Sequence, residues 1–507
     1  MARRPVLKNG DASLFPASTV ASIQPPEIGK RPHFSRSRPI QRVLVIGLDC
    51  ATPQFVFGPQ RFDLPNLRRL AENGCWGLLR SCDPPITAPA WAVMMSSRDP
   101  GALGCYGFRN RKDHSYEGMF TSNSTAIRAR RVWDIASRWG KKVVVLGVPQ
   151  TYPVTPVNGW MVADFLAPDS NADYTYPKAL KAEIEAAVGQ YIIDVKDFRT
   201  EKKDWLLEQV HAFMHNRFDV ARHLMTTKPW DFFIMVEMGV DRLHHGFWKF
   251  CDPMHPKYEP GNPYENAIRD YYTVVDRRIG ELLALVGPET AVMVVSDHGA
   301  KAMLGGVCIN QWLINEGYLR VADPLDAPGL NRGASLGTRK RIEVCSIDWS
   351  QTRAWASGGY YGRVFLNVAG REPQGVVPLN EYEAFRREMI GRIEAMPGPD
   401  GTPLGNKVVR PEDLYKTVNG IAPDLIVYFG DLSWRSVGAV GFDSIYTFEN
   451  DTGPDDANHD FHGIFIMDDR SGRGGEEVKG LQILDVAPTV LDLLGIGKPE
   501  DMQGKII

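Results

Sequence analysis

Four continuous apolar runs constrain this chain more than any other feature. They are Val43 to Leu48, Lys142 to Val148, Trp230 to Met238 and Ala291 to Ser296. Runs without polar alternation, too short for a membrane helix and separated by helix-period segments, suit strands of a parallel sheet buried on both faces. Helices are expected from Leu64 to Gly74 with Asp63 as N-cap, from about Arg128 to Gly140, and from Tyr264 to Val286 with Gly287 as stop. The alternation predicts an α/β fold, a doubly wound, mostly parallel sheet flanked by helices. Further strands are expected at Asp424 to Phe429 and Gly463 to Met467, and a C-terminal helix at about Asp485 to Leu494.

The texture changes along the chain. Residues 1–40 hold seven Lys/Arg, two acids, six Pro and five Ser, a composition unable to bury a core and read as a basic, disordered tail. Residues 41–304 form the first part of the core. Residues 305–440, rich in Gly and Pro with a helix at Leu379 to Met396 and a short strand at Val364 to Asn367, are read as an inserted or cap-like subdomain. Residues 441–507 complete the core. The net charge of −3 excludes a nucleic-acid footprint, and apolar runs are too short to span a membrane. Seven cysteines without a regular framework point to reduced thiols and a cytoplasmic location.

Polar residues at the carboxyl ends of buried strands are where open α/β sheets bind ligands. Here Asp49 ends the first run, Asp241 and His245 follow the third, and Asp297 and His298 end the fourth. Each alone is an ordinary cap or loop histidine. Together they are mixed carboxylate and imidazole donors suited to Zn or Mn. Two such ions could clamp the attacking and leaving oxygens of a displacement at phosphorus.

The ordered set Ile46-Gly47-Leu48-Asp49, Pro84-Pro85-Ile86-Thr87-Ala88-Pro89-Ala90-Trp91, Asp241-x-x-x-His245, Ser296-Asp297-His298-Gly299 and a late His459 resembles the alkaline phosphatase superfamily. Its nearest branch is the type I phosphodiesterase/nucleotide pyrophosphatase-like phosphohydrolases. The resemblance covers roughly residues 42–507 and implies an alkaline phosphatase-like core. It implies one divalent ion on Asp49, Asp297, His298 and the Thr87 oxygen, and a second on Asp241, His245 and His459. Thr87 would be the nucleophile, forming a covalent phospho-threonine that water then hydrolyses. His245 is preferred to His244 on family spacing, and His459 to His462 because it stands four residues before Gly463.

Departures from the family pattern set the open points. Cys50 stands where relatives carry Gly, and Ser96-Ser97 replaces the usual Thr-Gly. The phosphate-binding Asn of nucleotide pyrophosphatases has only Asn110 as a nearby counterpart. Cys82 lacks the following Arg of the sulfatase signature and reads as a buried thiol. Trp91 and Phe108 are either core or a stacking platform. The function expected is a two-metal phosphohydrolase of small phosphate diesters or pyrophosphate-type bonds. Its rivals are a phosphomutase of the same superfamily and a metal-holding binding module.

Overall fold

The protein, seen in a computed structural model, is described over residues 40–322, 340–341 and 346–507. The N-terminal tail and Cys345 lie outside the described residues. A ten-stranded sheet organises the chain. Five central strands, Thr290–Val295, Arg42–Leu48, Phe232–Glu237, Val143–Leu146 and Gly159–Val162, run parallel to their neighbours in that order. In the first four the interior residues are buried, as uninterrupted Val, Ile, Leu and Phe demand, while Gly159 and Trp160 of the fifth are half-buried. Beyond Thr290–Val295 the sheet continues with His462–Asp468 and then Cys75–Arg80, both pairings antiparallel.

Alternation along each strand sends side chains to two separate cores. Leu44, Ile46 and Leu48 face one core, shared with the helices Lys203–Thr227, Gly239–Cys251 and Ala267–Leu283. Val43 and Val45 face the other, shared with Thr87–Ser96, Val132–Arg138 and Val486–Leu493. Helices on both faces make the expected doubly wound sheet.

Within 305–440 a separate four-stranded antiparallel sheet forms from Ala354–Ser357, Gly362–Leu366, Leu425–Tyr428 and Lys407–Val409. The helix Tyr382–Glu394 covers it, and Val364, Leu366, Phe385, Met389 and Val427 close its own core. The strand expected at Asp424 to Phe429 therefore belongs to this second sheet. All described residues nonetheless lie in one compact unit.

Several expected boundaries shift for local reasons. Asp63 does not cap the helix Pro65–Asn73. Leu64 is its N-cap, and the Asp63 carboxylate instead pairs with Arg68. The helix expected from Arg128 starts at Val132, because the Arg131 amide and Asp134 carboxylate close a capping box at 2.9 Å. The helix expected to reach Val286 ends at Leu283, and the Leu285 and Val286 amides turn back to carbonyls three residues earlier.

Candidate active site

Three neighbouring parallel strands deliver the acidic residues to one edge. Asp49 follows Leu48, and its amide is held by the Glu237 carbonyl of the next strand at 2.9 Å. Asp297 and His298 follow Val295 on the other flank. Asp241 and His245 lie one helical turn apart on Gly239–Cys251, so both project from one face, with His245 Nε2 3.2 Å from Asp241 Oδ1. His459 arrives from the C-terminal part of the chain. Its strand, Ala457–Asp460, pairs antiparallel with Gly299–Ala302, placing His459 opposite Ala300 and stacking its ring on His298 with centroids 3.8 Å apart.

Thr87 opens a fully buried helix, Thr87–Ser96, directly after the Pro84-Pro85-Ile86 turn. Its hydroxyl lies 3.2 Å from His298 Nε2, and the first turn of the helix directs unpaired amides and a positive dipole end towards the same space. Close packing fixes that helix against the sheet. A Cβ on Gly47 would sit 2.3 Å from the Trp91 ring, so only glycine lets the indole lie over the first strand.

The polar pairing around the cluster is asymmetric in a way that suits a cation. Each carboxylate has one oxygen held: Asp49 Oδ2 accepts from Trp91 Nε1 at 2.7 Å, Asp241 Oδ2 from Arg242 Nη1 at 2.6 Å, and Asp297 Oδ1 from the Cys50 amide at 3.2 Å. The other oxygen of each is buried without a hydrogen-bond partner. Each imidazole has its Nδ1 against an oxygen, His245 with Asp455 at 2.7 Å, His459 with the Pro85 carbonyl at 2.8 Å and His298 with the Gly299 carbonyl at 3.1 Å. That leaves Nε2 of all three facing the carboxylates. His459 Nε2 is 3.7 Å from Asp241 Oδ1 and 3.3 Å from His245 Nε2, and His298 Nε2 is 3.9 Å from Asp49 Oδ1.

Buried oxygens left without donors are costly unless a cation satisfies them, and histidines oriented through Nδ1 are the ordinary arrangement around a metal. Candidate ligand groups accordingly form from Asp241, His245 and His459 and from Asp49, Asp241 and His298. The cluster shifts its titrating groups in both directions. Burial, then the Asp241 charge, pushes the Asp49 carboxyl well above its ordinary range, and burial, then the Asp49 charge, does the same to Asp297. Burial holds His298 down to about 4. For His245 burial is outweighed by Asp455 and Asp241, which carry it up to about 9.

Residues 43–455 match the family model of type I phosphodiesterase/nucleotide pyrophosphatase. The chain belongs to this family. It is a phosphohydrolase of the phosphodiesterase/pyrophosphatase class, dependent on divalent metal. A sequence comparison with curated proteins finds no match. The fold is similar to that of phosphonoacetate hydrolase from Sinorhizobium meliloti 1021, solved with phosphonoformate, at TM-score 0.55 and 15% identity over 89% of this chain and 94% of that one. It is also similar to murine ectonucleotide pyrophosphatase/phosphodiesterase 5, at TM-score 0.50 and 13% identity over 91% and 97% of the two chains. The family match ends before His459, whose place in the cluster rests on geometry.

Within this phosphodiesterase fold the remaining sequence candidates separate cleanly. His244 points away from the cluster, its Nε2 3.2 Å from the Tyr272 hydroxyl and its ring against Phe55 and Trp248. His462 lies at the start of its strand, exposed. Asn110 does not reach the cleft at Thr87. Its Oδ1 accepts from the Tyr106 amide at 2.8 Å and its Nδ2 donates to the Gly107 carbonyl at 3.0 Å, which ties both ends of the amide to one turn. Trp91 is fully buried and orients Asp49 instead of stacking on a ligand. Phe108 does line the cleft. Cys82 is a buried thiol donating to the Pro84 carbonyl at 3.1 Å.

Both departures from family glycines fall on left-handed backbone, Cys50 at φ 66° and Ser97 at φ 53°, where glycine is the unstrained residue. Sequence reading missed Asp455, Trp91's hydrogen bond and the arginines of the cleft. Asp455 and Arg363 bond to segments far away in sequence, whereas Trp91 and Arg242 stand inside quoted motifs whose spacing gives no sign of their bonds to Asp49 and Asp241.

Proposed function

We propose that the protein hydrolyses small phosphate diesters or pyrophosphate-type bonds through a covalent adduct on Thr87. The observation carrying this reading is the Thr87 hydroxyl at 3.2 Å from His298 Nε2, at a helix start and beside three half-satisfied carboxylates. Asp49, Asp297, His298 and Thr87 would hold one divalent ion and Asp241, His245 and His459 a second, Zn or Mn by donor type. Bound there, such ions lower the pKa of a ligating hydroxyl and neutralise phosphoryl oxygens.

The chain's own groups do the rest. Thr87 Oγ gives up its proton and attacks phosphorus, a Thr87 O–P bond forms, the bond to the leaving oxygen breaks, and that oxygen departs as alcohol or phosphate, an alcohol taking up the proton that Thr87 released. The adduct keeps the second ester arm. Water then cleaves the Thr87 O–P bond, restoring the hydroxyl and releasing a monoester. Helix dipole and free first-turn amides favour the phosphoryl charge at that point. Asp455 and the Pro85 carbonyl fix the ring orientation of His245 and His459. A cleft of about 440 Å³, lined by Thr87, Phe108, Tyr360 and His459, admits a small molecule. Cys50, Cys75, Cys82 and Cys105 are buried thiols outside any disulfide, which supports a reducing, cytoplasmic setting.

The test is hydrolysis of an aryl phosphate diester against the matching monoester, with Zn or Mn, for wild type and Thr87→Ala. A diester preference abolished by the substitution is expected. Full activity in folded Thr87→Ala contradicts the reading.

A further inference from the structure

The cleft in front of Thr87 is lined by five arginines, Arg109, Arg199, Arg242, Arg363 and Arg435. Three are matched by carboxylates. Arg199 Nε lies 2.9 Å from Asp455, Arg242 Nη2 2.9 Å from Asp194 and Arg435 Nη2 3.3 Å from Asp451. Arg363 and Arg109 pair with no carboxylate among the described residues.

Arg363 is only 8% exposed. Its Nη1 donates to the Arg109 carbonyl, its Nη2 to Ser357 Oγ at 2.8 Å, and its Nε is buried without a partner. Neutral oxygens satisfy some of its hydrogens but leave a buried positive charge uncompensated, which proteins rarely tolerate without an anion to come. Arg109, the residue whose carbonyl it holds, is exposed on the same cleft. One arginine lies on the short strand Arg109–Arg111 and the other on Gly362–Leu366 of the second sheet. Thus the 305–440 region contributes a charge to the cleft of the main sheet.

Resting on the Thr87 reading above, we infer that Arg363 and Arg109 receive a second anionic group, a carboxylate or a phosphoryl group, on the substrate arm distant from the scissile phosphorus. The planar fork of a guanidinium suits either oxyanion. The natural substrate is then a diester carrying an additional acid, and these two arginines set the preference for it.

The experiment uses metal-loaded full-length protein and three 4-nitrophenyl phosphodiesters whose second arm is methyl, 2-carboxyethyl or 2-phosphoethyl. In wild type, kcat/KM for one charged arm is expected to exceed that for methyl by about tenfold or more, and the larger gain tells carboxylate from phosphoryl. Arg109→Ala, a change on an exposed side chain, is expected to lower that ratio by about tenfold, and Arg363→Gln to lower it as well. A wild-type ratio near one, or a ratio that Arg109→Ala leaves intact, overturns the inference, while Thr87-dependent turnover of the methyl diester keeps the diesterase reading standing. If no diester is turned over, that reading falls and calorimetry decides the anion site. Binding of 3-phosphonopropanoate at least about tenfold tighter than methylphosphonate, with the gain lost in Arg109→Ala, sustains it. Equal affinities overturn it.

Discussion

Asp455 touches no proposed metal position, yet it should control metal affinity. It is fully buried, with Oδ1 2.7 Å from His245 Nδ1 and Oδ2 accepting from Arg199 Nε and the Tyr360 hydroxyl, both at 2.9 Å. Asp455→Asn keeps the shape and removes the charge. If the amide carbonyl stays towards His245, the NH₂ meets Arg199 and Tyr360, two donors against a donor. If the amide flips, its NH₂ faces His245 Nδ1 and forces the proton onto Nε2, withdrawing the lone pair that faces Asp241. Either arrangement weakens the site. Partners that orient a ligating histidine are worth about 10–100-fold in metal affinity, or ~1.4–2.7 kcal/mol. The loss of folding stability should be about 1–3 kcal/mol, below the fully buried limit because the Arg199 side chain remains 28% exposed. Zinc titration of the apoprotein against a competing chelator measures the first, and thermal unfolding the second. Tyr360→Phe removes one donor but leaves the His245–Asp455 pair, so its effect should be smaller. A folded Asp455→Asn protein with metal affinity within twofold of wild type would refute the reasoning.

Three further outcomes are expected. Trp91→Phe keeps an aromatic ring over Gly47 but removes the 2.7 Å bond to Asp49 Oδ2, leaving both Asp49 oxygens without a donor. Unfolding by urea should show a loss of about 1–3 kcal/mol in the apoprotein. Gly47→Ala places a methyl 2.3 Å from the Trp91 ring and should lower stability by about 1–3 kcal/mol, read as a fall in melting temperature, while equal melting temperatures would contradict the packing. Burial pushes the Asp164 carboxyl up to about 7, so between about pH 4 and that value the folded state holds a proton the unfolded state has released, and stability falls as pH rises. The stability of Asp164→Asn relative to wild type should therefore grow across that window, by at most ~1.4 kcal/mol per pH unit, and a flat difference would show that Asp164 does not carry the dependence.

Four of the five central parallel strands were legible because their continuous apolar runs leave no polar residue to disguise them, whereas the four-residue strand Gly159–Val162, half-buried over its first two residues, was not. The edge strand Cys75–Arg80 was not, since its burial alternates and Leu78 is exposed. The helix Lys203–Thr227 was missed although it spans 25 residues, because polar and charged residues interrupt its apolar face. Asp49, Asp241, Asp297 and His298 could be read because each follows a strand within four residues, and His245 was chosen over His244 on family spacing. Thr87 and His459 depended on family order, and only the pairing of Ala457–Asp460 with Gly299–Ala302 explains why so late a histidine belongs. Asp455 and Arg363 had no sequence signal. Their roles arise from contacts across 210 residues in one case and between two sheets in the other.

Thr87 as the attacking atom is the claim on which the chemistry stands. Its most direct test is acid quenching of metal-loaded protein during turnover of an aryl phosphodiester, followed by peptide mass mapping. The expected result is a phosphoryl ester adduct on the peptide containing Thr87, absent from Thr87→Ala. Turnover with Thr87 unmodified throughout, and undiminished in Thr87→Ala, would contradict it.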